Sequence, residues 1–278
     1  MSACWSSRRC SSPRSAICLR AGWASWRTRP RRRCSLSHDA TGLIETVPET
    51  GSTNADLAAR LRGGERVCEG DWLVADRQVA GRGRQGRTWF DGTGNFMGST
   101  AVHLASNDPP APTLAHMAGL ALYETVAPLL ADPSALSLKW PNDLMLGRAK
   151  LAGILLEREG GAVIVGIGVN LAAAPQIEGR ETIAMADVGP VPDRDAFAHA
   201  LGDTFDRELD RWRTFGTEPM LRRWQAAAHR EGTMLTVHEP GGNAVSGRFD
   251  GLEPDGSLRL RLDNGQTRAI HAGDVTFG

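Results

Sequence analysis

Four short apolar segments lie almost back to back between residues 136 and 171, and this run constrains the fold more than any other feature. The segments are residues 136–140, 143–146, 150–158 and 162–171. Tight turns at Gly147-Arg148 and Gly160-Gly161 separate the last three. Strands joined by such short turns pair as antiparallel hairpins, because a parallel connection needs a dozen or more residues. We therefore expect a mixed or antiparallel sheet, not a doubly wound parallel one.

Helical and extended patterns surround this run and indicate an α+β fold. We expect strands at residues 43–50, 72–76 and 96–104, and helices at residues 55–62, 113–130, 195–215 and 218–229. From Gly232 onward the pattern changes to short strands separated by Gly-rich turns, at residues 234–238, 244–252, 257–262 and 267–270. Such a segment is typical of a small SH3-like β-barrel. The prediction is a domain over residues 41–230, with a mixed or antiparallel sheet flanked by helices, followed by a barrel over residues 231–278.

Charge separates the first 40 residues from the rest. Residues 1–38 hold nine Arg and no acidic residue, which leaves 23 basic against 32 acidic residues in the body. An acidic body argues against general nucleic-acid binding. The leader, residues 1–40, fits a transit peptide, a nucleic-acid-binding arm, or translated sequence upstream of the true start. Its four Cys and three Trp favour the last interpretation, so we leave it out of the predicted fold.

Hydropathy and cysteine usage bear on the compartment. The apolar stretches of the chain are too short to span a bilayer. Cys68 is the single cysteine of the body, as expected for a reduced, intracellular protein. We therefore expect a cytoplasmic protein without a membrane-spanning segment.

Residues 81–87, here called the arginine loop, read Gly-Arg-Gly-Arg-Gln-Gly-Arg. They satisfy the G-x-G-x-x-G pattern of dinucleotide-binding folds, but no helical pattern begins within them and no βαβ unit follows. Three guanidinium groups can fork onto phosphate or carboxylate oxygens, and the nearby Trp89 offers a flat face to a purine ring. The alternative is a solvated basic loop beside a core tryptophan.

Lysine is rare in this chain, which has 30 Arg but only Lys139 and Lys150. A sequence that uses Arg so widely keeps Lys where a compact ammonium is needed, and both lie in one short window. The alternative is chance retention at surface sites. Lys139 opens Lys139-Trp140-Pro141-Asn142-Asp143, whose strand is the predicted hairpin neighbour of the strand opened by Lys150. We therefore expect Lys150 to share a cavity with Asn142 and Asp143.

Five segments resemble, in order and spacing, those of the biotin protein ligases. They are Ser52-Thr53-Asn54, the stretch from Gln78 through the arginine loop to Trp89, Lys139-Trp140-Pro141-Asn142-Asp143, Lys150-Leu151-Ala152-Gly153-Ile154, and Gly166-x-Gly168-x-Asn170. The resemblance covers residues 43–278 and fits the short form without the DNA-binding domain, so no repressor function is expected. One departure is Asp91-Gly92, where the family often has Ser-Pro.

The resemblance implies an ATP-dependent ligase. Such an enzyme converts biotin to biotinyl-5'-AMP and transfers it to a lysine of a biotin carboxyl carrier domain of a carboxylase. ATP and biotin would be bound, with Mg²⁺ delivered by ATP and no metal ligand supplied by the chain. A monomer or homodimer is expected, with no membrane partner and no DNA binding.

The resemblance also assigns site residues. The residues expected to bind biotin are Ser52, Thr53, Asn54, Gln78, Gly81, Arg82, Gly83, Arg84, Lys150, Gly153, Gly166 and Gly168. The residues expected to bind ATP or the adenylate are Arg87, Trp89, Asn142, Asp143, Lys150 and Asn170. Lys150, Arg82 and Arg84 are the expected catalytic residues. Asp143 either accepts the acceptor lysine's proton or fixes Lys139 or the strand turn, and the structural role is favoured.

Three other interpretations stay open at this stage. A lipoate–protein ligase-type acyl-adenylating enzyme is thought to share this fold and chemistry, although the arginine loop and the Lys-Trp-Pro-Asn-Asp segment favour biotin. A nucleic-acid-binding module could use the basic leader. A protein that binds biotin without transferring it is disfavoured by the intact set of charged residues.

Overall fold

The structure is a computed structural model that describes residues 42–277. The prediction for the leader, residues 1–40, lies outside the described residues. No helix within residues 42–277 combines the length and the apolar character needed to cross a membrane.

A seven-stranded mixed sheet forms the centre of the larger part of the chain. Its strands are β1 Ile44–Val47, β2 Trp72–Ala75, β3 Phe96–His103, β4 Leu136–Lys139, β5 Asp143–Leu146, β6 Ala149–Glu159 and β7 Ala162–Val169. They are arranged β1-β2-β3-β7-β6-β5-β4. β1 and β2 pair in parallel, whereas every other neighbouring pair is antiparallel. The consecutive hairpins and the mixed sheet are therefore confirmed.

Helices cover both faces of this sheet. They are α1 Thr53–Arg62, α2 Leu114–Val126, α3 Arg194–Phe215 and α4 Thr217–Ala227. Along β7, Val163 and Val165 belong to the large apolar core that α2 joins, whereas Ile164 packs with Leu57 of α1. Successive residues of a strand point to opposite faces, so α1 and α2 lie on opposite sides of the sheet.

Several helix ends differ from the predicted ones, and two of them have a local explanation. α1 begins at Thr53, two residues early, because Ser52 takes the N-cap position with an extended backbone. Its side chain makes no capping hydrogen bond. α2 ends at Val126 instead of residue 130, and a 3-10 turn over Ala127–Leu129 follows it. Pro128 accounts for this end, since proline offers no backbone N–H to continue an α-helix.

The C-terminal segment is a five-stranded antiparallel sheet. Its strands are β8 Met234–His238, β9 Ala244–Leu252, β10 Leu258–Arg261, β11 Thr267–Ile270 and β12 Asp274–Phe277, arranged β11-β10-β9-β8-β12. The sequence predicted the first four and missed β12. The two sheets share one apolar core, and the Trp140 indole N–H donates to the Gly256 carbonyl at 3.0 Å. A domain boundary near residue 230 stays a prediction.

Candidate active site

A cavity of about 1040 Å³ opens beside the central strands of the large sheet. Every site residue expected from the sequence lines it, except Gly81. Gly81 lies just behind the wall, where its carbonyl accepts a 2.9 Å hydrogen bond from the Trp89 amide. One cavity therefore brings together expected residues from α1, the arginine loop and the three strands β5, β6 and β7.

One end of the cavity is a neutral hydrogen-bonding cluster, here called the polar cluster. It consists of Thr53, Asn54, Gln78 and Ser99, all buried. The Thr53 amide donates to Gln78 Oε1 at 2.7 Å, Thr53 Oγ1 lies 2.6 Å from Ser99 Oγ, and Ser99 Oγ donates to Asn54 Oδ1 at 2.6 Å. Ser52 lies beside it at the N-cap of α1, also buried.

The proton count in the polar cluster fixes what it offers a ligand. Asn54 Oδ1 cannot donate, so the single Ser99 hydroxyl proton goes to it. Thr53 Oγ1 then donates to Ser99 Oγ or to Gln78 Oε1, 3.1 Å away. Either choice leaves Thr53 Oγ1 as an acceptor and the Gln78 amide NH₂ as a donor. The cluster therefore matches a ligand that carries an N–H next to a carbonyl.

Asn54 connects the polar cluster to the arginine loop through a residue that the sequence did not single out. The Asn54 amide NH₂ donates to Glu157 Oε2 at 2.7 Å, and Glu157 Oε1 lies 3.9 Å from Arg82 Nη1. Ser99 was missed as well. A serine within the apolar strand 96–103 was the available signal, whereas nothing in the sequence distinguished Glu157.

Three glycines line the cavity because side chains there would collide with other site residues. A Cβ at Gly168 would overlap the Trp89 indole, and a Cβ at Gly166 would overlap the Asn54 amide. At Gly153, which pairs with Gly168 across β6 and β7, a Cβ would lie 3.1 Å from Trp89 and 3.0 Å from Lys150 Nζ. The Trp89 ring thus lies against Gly153 and Gly168, here called the glycine floor. Its stacking on adenine stays a prediction.

Positive charge gathers at the other end of the cavity. Lys150 Nζ donates to Asp143 Oδ1 at 2.5 Å and lies 5.7 Å from the Trp89 ring centroid. Lys139 Nζ lies 5.2 Å from the ring centroid of Phe277. Burial lowers the pKa of Lys139, and the nearby charges of Lys150 and Arg180 lower it further. Arg180 also lines the cavity and was missed by the sequence analysis.

Asn142 and Asn170 hold the strands around these lysines. Asn142 Nδ2 donates to the Ile154 carbonyl at 2.5 Å, which fastens the turn after a cis Trp140–Pro141 bond to β6. Asn170 Nδ2 donates to the Ile183 carbonyl at 3.2 Å, whereas its Oδ1 is buried without a partner. The predicted nucleotide contacts of both residues stay predictions.

The arginine loop crosses the cavity as a small hairpin. The Gly83 amide donates to the Arg87 carbonyl at 2.7 Å, and Arg82 bridges to Thr88. A 3-10 turn over Arg84–Gly86 is its only helical element, which agrees with the rejection of a dinucleotide fingerprint. Arg84 Nη1 donates to Asn142 Oδ1 at 3.1 Å, so the loop is anchored to the Lys-Trp-Pro-Asn-Asp segment.

Comparisons with known proteins identify the family of this chain. The model of the Biotin/lipoate A/B protein ligase family matches residues 52–172, and that of the Biotin protein ligase C terminal domain matches residues 235–278. The Biotin--[acetyl-CoA-carboxylase] ligase of Mycobacterium tuberculosis is 36% identical over 237 residues, covering 84% of this chain and 88% of that protein. The chain belongs to the biotin protein ligase family.

Solved structures of biotin protein ligases share its fold. The enzyme of Aquifex aeolicus in complex with biotin and ATP matches with a TM-score of 0.73 at 24% identity, over 84% of this chain and 97% of that one. The enzyme of Leishmania major in complex with biotinyl-5-AMP matches with a TM-score of 0.58 at 25% identity, over 83% of this chain and 99% of that one. The predicted α+β catalytic fold with a C-terminal β segment is confirmed.

Proposed function

We propose that this biotin protein ligase couples biotin to ATP, forming biotinyl-5'-AMP, and transfers the biotinyl group to a lysine of a carboxylase carrier domain. The observation that carries the proposal is the polarity of the cavity. A neutral cluster that matches an N–H and carbonyl pair occupies one end, and lysine and arginine side chains occupy the other. Biotin has the matching polarity, with a cyclic urea at one end and a carboxylate at the other.

In the first step a biotin carboxylate oxygen attacks the α-phosphorus of ATP. A C–O–P anhydride bond forms, the bond to the β-phosphate breaks, and pyrophosphate leaves with the electron pair. Both reactants are anions, so catalysis depends on positioning and on cations placed where charge develops. Lys150, between the glycine floor and Asp143, is our candidate for the central cation. Arg82 and Arg84 reach over the cavity from the arginine loop.

In the second step the ε-amine of the acceptor lysine attacks the acyl carbon of the anhydride. The amide bond forms, the bond from the acyl carbon to the AMP oxygen breaks, and the amine loses a proton. Asp143 already accepts a hydrogen bond from Lys150 at 2.5 Å. We therefore assign it the structural role of holding that ammonium, and we assign no side chain as the proton acceptor.

Mg²⁺ is proposed to arrive with ATP. Within residues 42–277 there is no group of three or more His, Cys, Asp or Glu residues that could hold a metal ion. Asp143 and Asp274, two of the carboxylates that line the cavity, both form ion pairs with basic side chains. This donor set fits an ion held mainly by phosphate oxygens and water, as is usual for Mg²⁺ with nucleotides.

The polar cluster favours biotin over lipoate as the acid. The dithiolane ring of lipoate has neither an N–H nor a carbonyl, so it would leave Thr53 Oγ1 and the Gln78 amide without partners. A site built to hydrogen-bond a ligand rejects an analogue that lacks those groups far more strongly than an apolar pocket does. The second candidate, a nucleic-acid-binding module, rests on the leader, and no observation on residues 42–277 favours it.

The remaining assignments complete the proposal. We propose that the protein acts in the cytoplasm as a monomer or homodimer, without binding DNA. The cytoplasmic assignment rests on the single cysteine outside the leader, which fits a reducing compartment.

The test is a transfer assay. The protein is mixed with labelled biotin, MgATP and a carrier domain, and label on the carrier is measured after denaturation. The account predicts ATP-dependent label on one lysine, lost when that lysine is changed to Arg and not reduced by excess lipoate. Label carried by lipoate instead would overturn the assignment to biotin, and no label with either acid would overturn the ligase assignment.

A further inference from the structure

The last strand of the C-terminal sheet reaches the active-site cavity. β12 pairs only with β8 at one edge of that sheet, with Asp274 opposite His238. Its residues Asp274 to Phe277 all line the cavity described above. Just before β12 the backbone packs closely on β8 at Gly273, where a Cβ would lie 2.6 Å from Val237 Cγ1. The C-terminal sheet therefore supplies part of the cavity wall.

Asp274 contacts two of the three arginines of the arginine loop. Its Oδ2 accepts a close hydrogen bond from Arg87 Nη2, and its Oδ1 lies 3.6 Å from Arg84 Nη1. The neighbouring Gly273 carbonyl accepts a 3.3 Å hydrogen bond from Arg84 Nη2. The Arg84 guanidinium is thereby held between the C-terminal sheet on one side and Asn142 on the other.

These contacts are more than surface ion pairs. The Arg84 side chain is only 25% exposed and the Asp274 side chain 30% exposed. Burial lowers the pKa of Arg84, and among the nearby charges that oppose this, Asp274 has the largest effect. A guanidinium taken out of water needs a nearby counter-ion, and Asp274 is the carboxylate placed to serve both arginines. By contrast, Arg82, 51% exposed, reaches Glu157 only at 3.9 Å.

We propose that Asp274 is a positioning residue for adenylation, which fastens the arginine loop across the cavity through Arg84 and Arg87. The C-terminal sheet is then a working part of the active site and not a stabilising appendage. This inference rests on the proposed function, because it assigns the docked loop a role in binding ATP. Asp274 itself touches no reacting atom in this assignment; it acts through the two arginines.

The first experiment measures loop docking in the ligand-free protein. Trypsin cleavage after Arg82, Arg84 and Arg87 is followed by mass spectrometry in wild type, Asp274→Asn, Asp274→Glu and Asp263→Asn. Asp263 is an exposed aspartate in the turn between β10 and β11 and serves as the control. We expect cleavage of Asp274→Asn to be roughly fivefold to tenfold faster, as for loss of a hydrogen-bonded charge. Asp274→Glu should recover much of the protection, and Asp263→Asn should match wild type.

The second experiment separates positioning from general support of the fold. In biotin-dependent ATP–pyrophosphate exchange, Asp274→Asn should raise KM for ATP about tenfold with kcat within about twofold. Its thermal unfolding should match that of Asp263→Asn, and Asp274→Glu should restore most of the affinity for ATP.

Two results would overturn the proposal. One is cleavage and KM in Asp274→Asn equal to those in Asp263→Asn. The other is a loss of activity in step with loss of thermal stability and without recovery in Asp274→Glu. Absence of exchange in wild type would instead contradict the proposed function, and the cleavage comparison would still decide the role of Asp274.

Discussion

Lys150 Nζ lies 2.5 Å from Asp143 Oδ1, across the hairpin that joins β5 to β6. The pair lies on the cavity wall next to Gly153 and the Trp89 ring, so the ammonium is held in place before any ligand binds. A cation fixed in advance does not have to reorganise when two anions meet beside it.

Lys150→Ala should therefore lower biotin-dependent ATP–pyrophosphate exchange by roughly 10²–10³-fold, or ~3–4 kcal/mol, while the protein stays folded. The matched control is Arg158→Ala, which removes an exposed cation from the same strand. Exchange at a near wild-type rate in Lys150→Ala would contradict the role of Lys150 as the central cation. Thermal unfolding of both variants excludes a folding defect.

Thr53→Val keeps the shape of its side chain but removes the hydroxyl from the polar cluster. The change leaves a ligand N–H unpaired and removes the hydroxyl proton that Thr53 donates to Ser99 or to Gln78. We expect the binding free energy of biotin to weaken by about 1–3 kcal/mol, with the Kd for ATP alone nearly unchanged. Calorimetry measures both. The control is Thr204→Val, a buried threonine of α3 whose hydroxyl bonds within its own helix. Equal biotin affinity in the two variants would argue against the polar cluster as the ring site.

Gly168→Ala tests why β7 has glycine beneath Trp89. The added methyl overlaps the indole, so the ring must leave the glycine floor. Overpacking of this kind typically costs about 1–3 kcal/mol. We therefore expect KM for biotin or ATP to rise at least tenfold. Gly161→Ala, where a Cβ would meet nothing within 4 Å, should behave as wild type. If both alanine variants are equally active, the contact between Gly168 and Trp89 is not needed for activity.

The burial of His116 should make the folded protein less stable at acid pH. His116 is buried beside Gly256 and Trp224, and neither ring nitrogen has a partner. Burial lowers its pKa to about 4 from 6.5. Below pH 6.5 His116 binds a proton in the unfolded chain, whereas in the folded protein it stays neutral until about pH 4. The folded state is therefore most stable, with respect to this group, above pH 6.5. Its stability falls as the pH drops from 6.5 to 4.

Between pH 7 and pH 5 this loss amounts to about 2 kcal/mol of unfolding free energy from His116 alone. Urea unfolding at the two pH values measures it. His116→Gln should reduce the difference, whereas His199→Gln, which changes an exposed histidine of α3, should not. An unchanged pH dependence in His116→Gln would show that other groups cause the acid sensitivity.

The sequence predicted local structure well where turns and alternation are strong. β5, β8, β9 and β11 begin and end at the predicted residues. β12 was missed although Asp274-Val275-Thr276-Phe277 alternates polar and apolar residues, because this pattern is only four residues long and follows another strand after a short Gly-containing turn. Its pairing with β8 depends on the fold of the whole C-terminal sheet, which no local pattern encodes.

Nearly all of the residues that the sequence motifs predicted for the site line the cavity. What the motifs could not provide were contacts between residues far apart in the chain. Asp274 meets Arg87 across 187 residues, and Glu157 meets Asn54 across 103. In the sequence, nothing distinguishes Asp274 and Glu157 from the other acidic residues of the chain. Only the packing of the C-terminal sheet and of α1 against the cavity gives them partners.

The most direct test of the account is a crystal structure of the protein with biotinyl-5'-AMP bound. The account predicts the urea N–H and carbonyl at Thr53 Oγ1 and the Gln78 amide, with Lys150 Nζ within hydrogen-bonding distance of both the acyl and the phosphate oxygens. Arg82 should lie over the same phosphate. An adenylate bound with Lys150 and Arg82 far from its anhydride would contradict the central claim that these cations bring the two acids together.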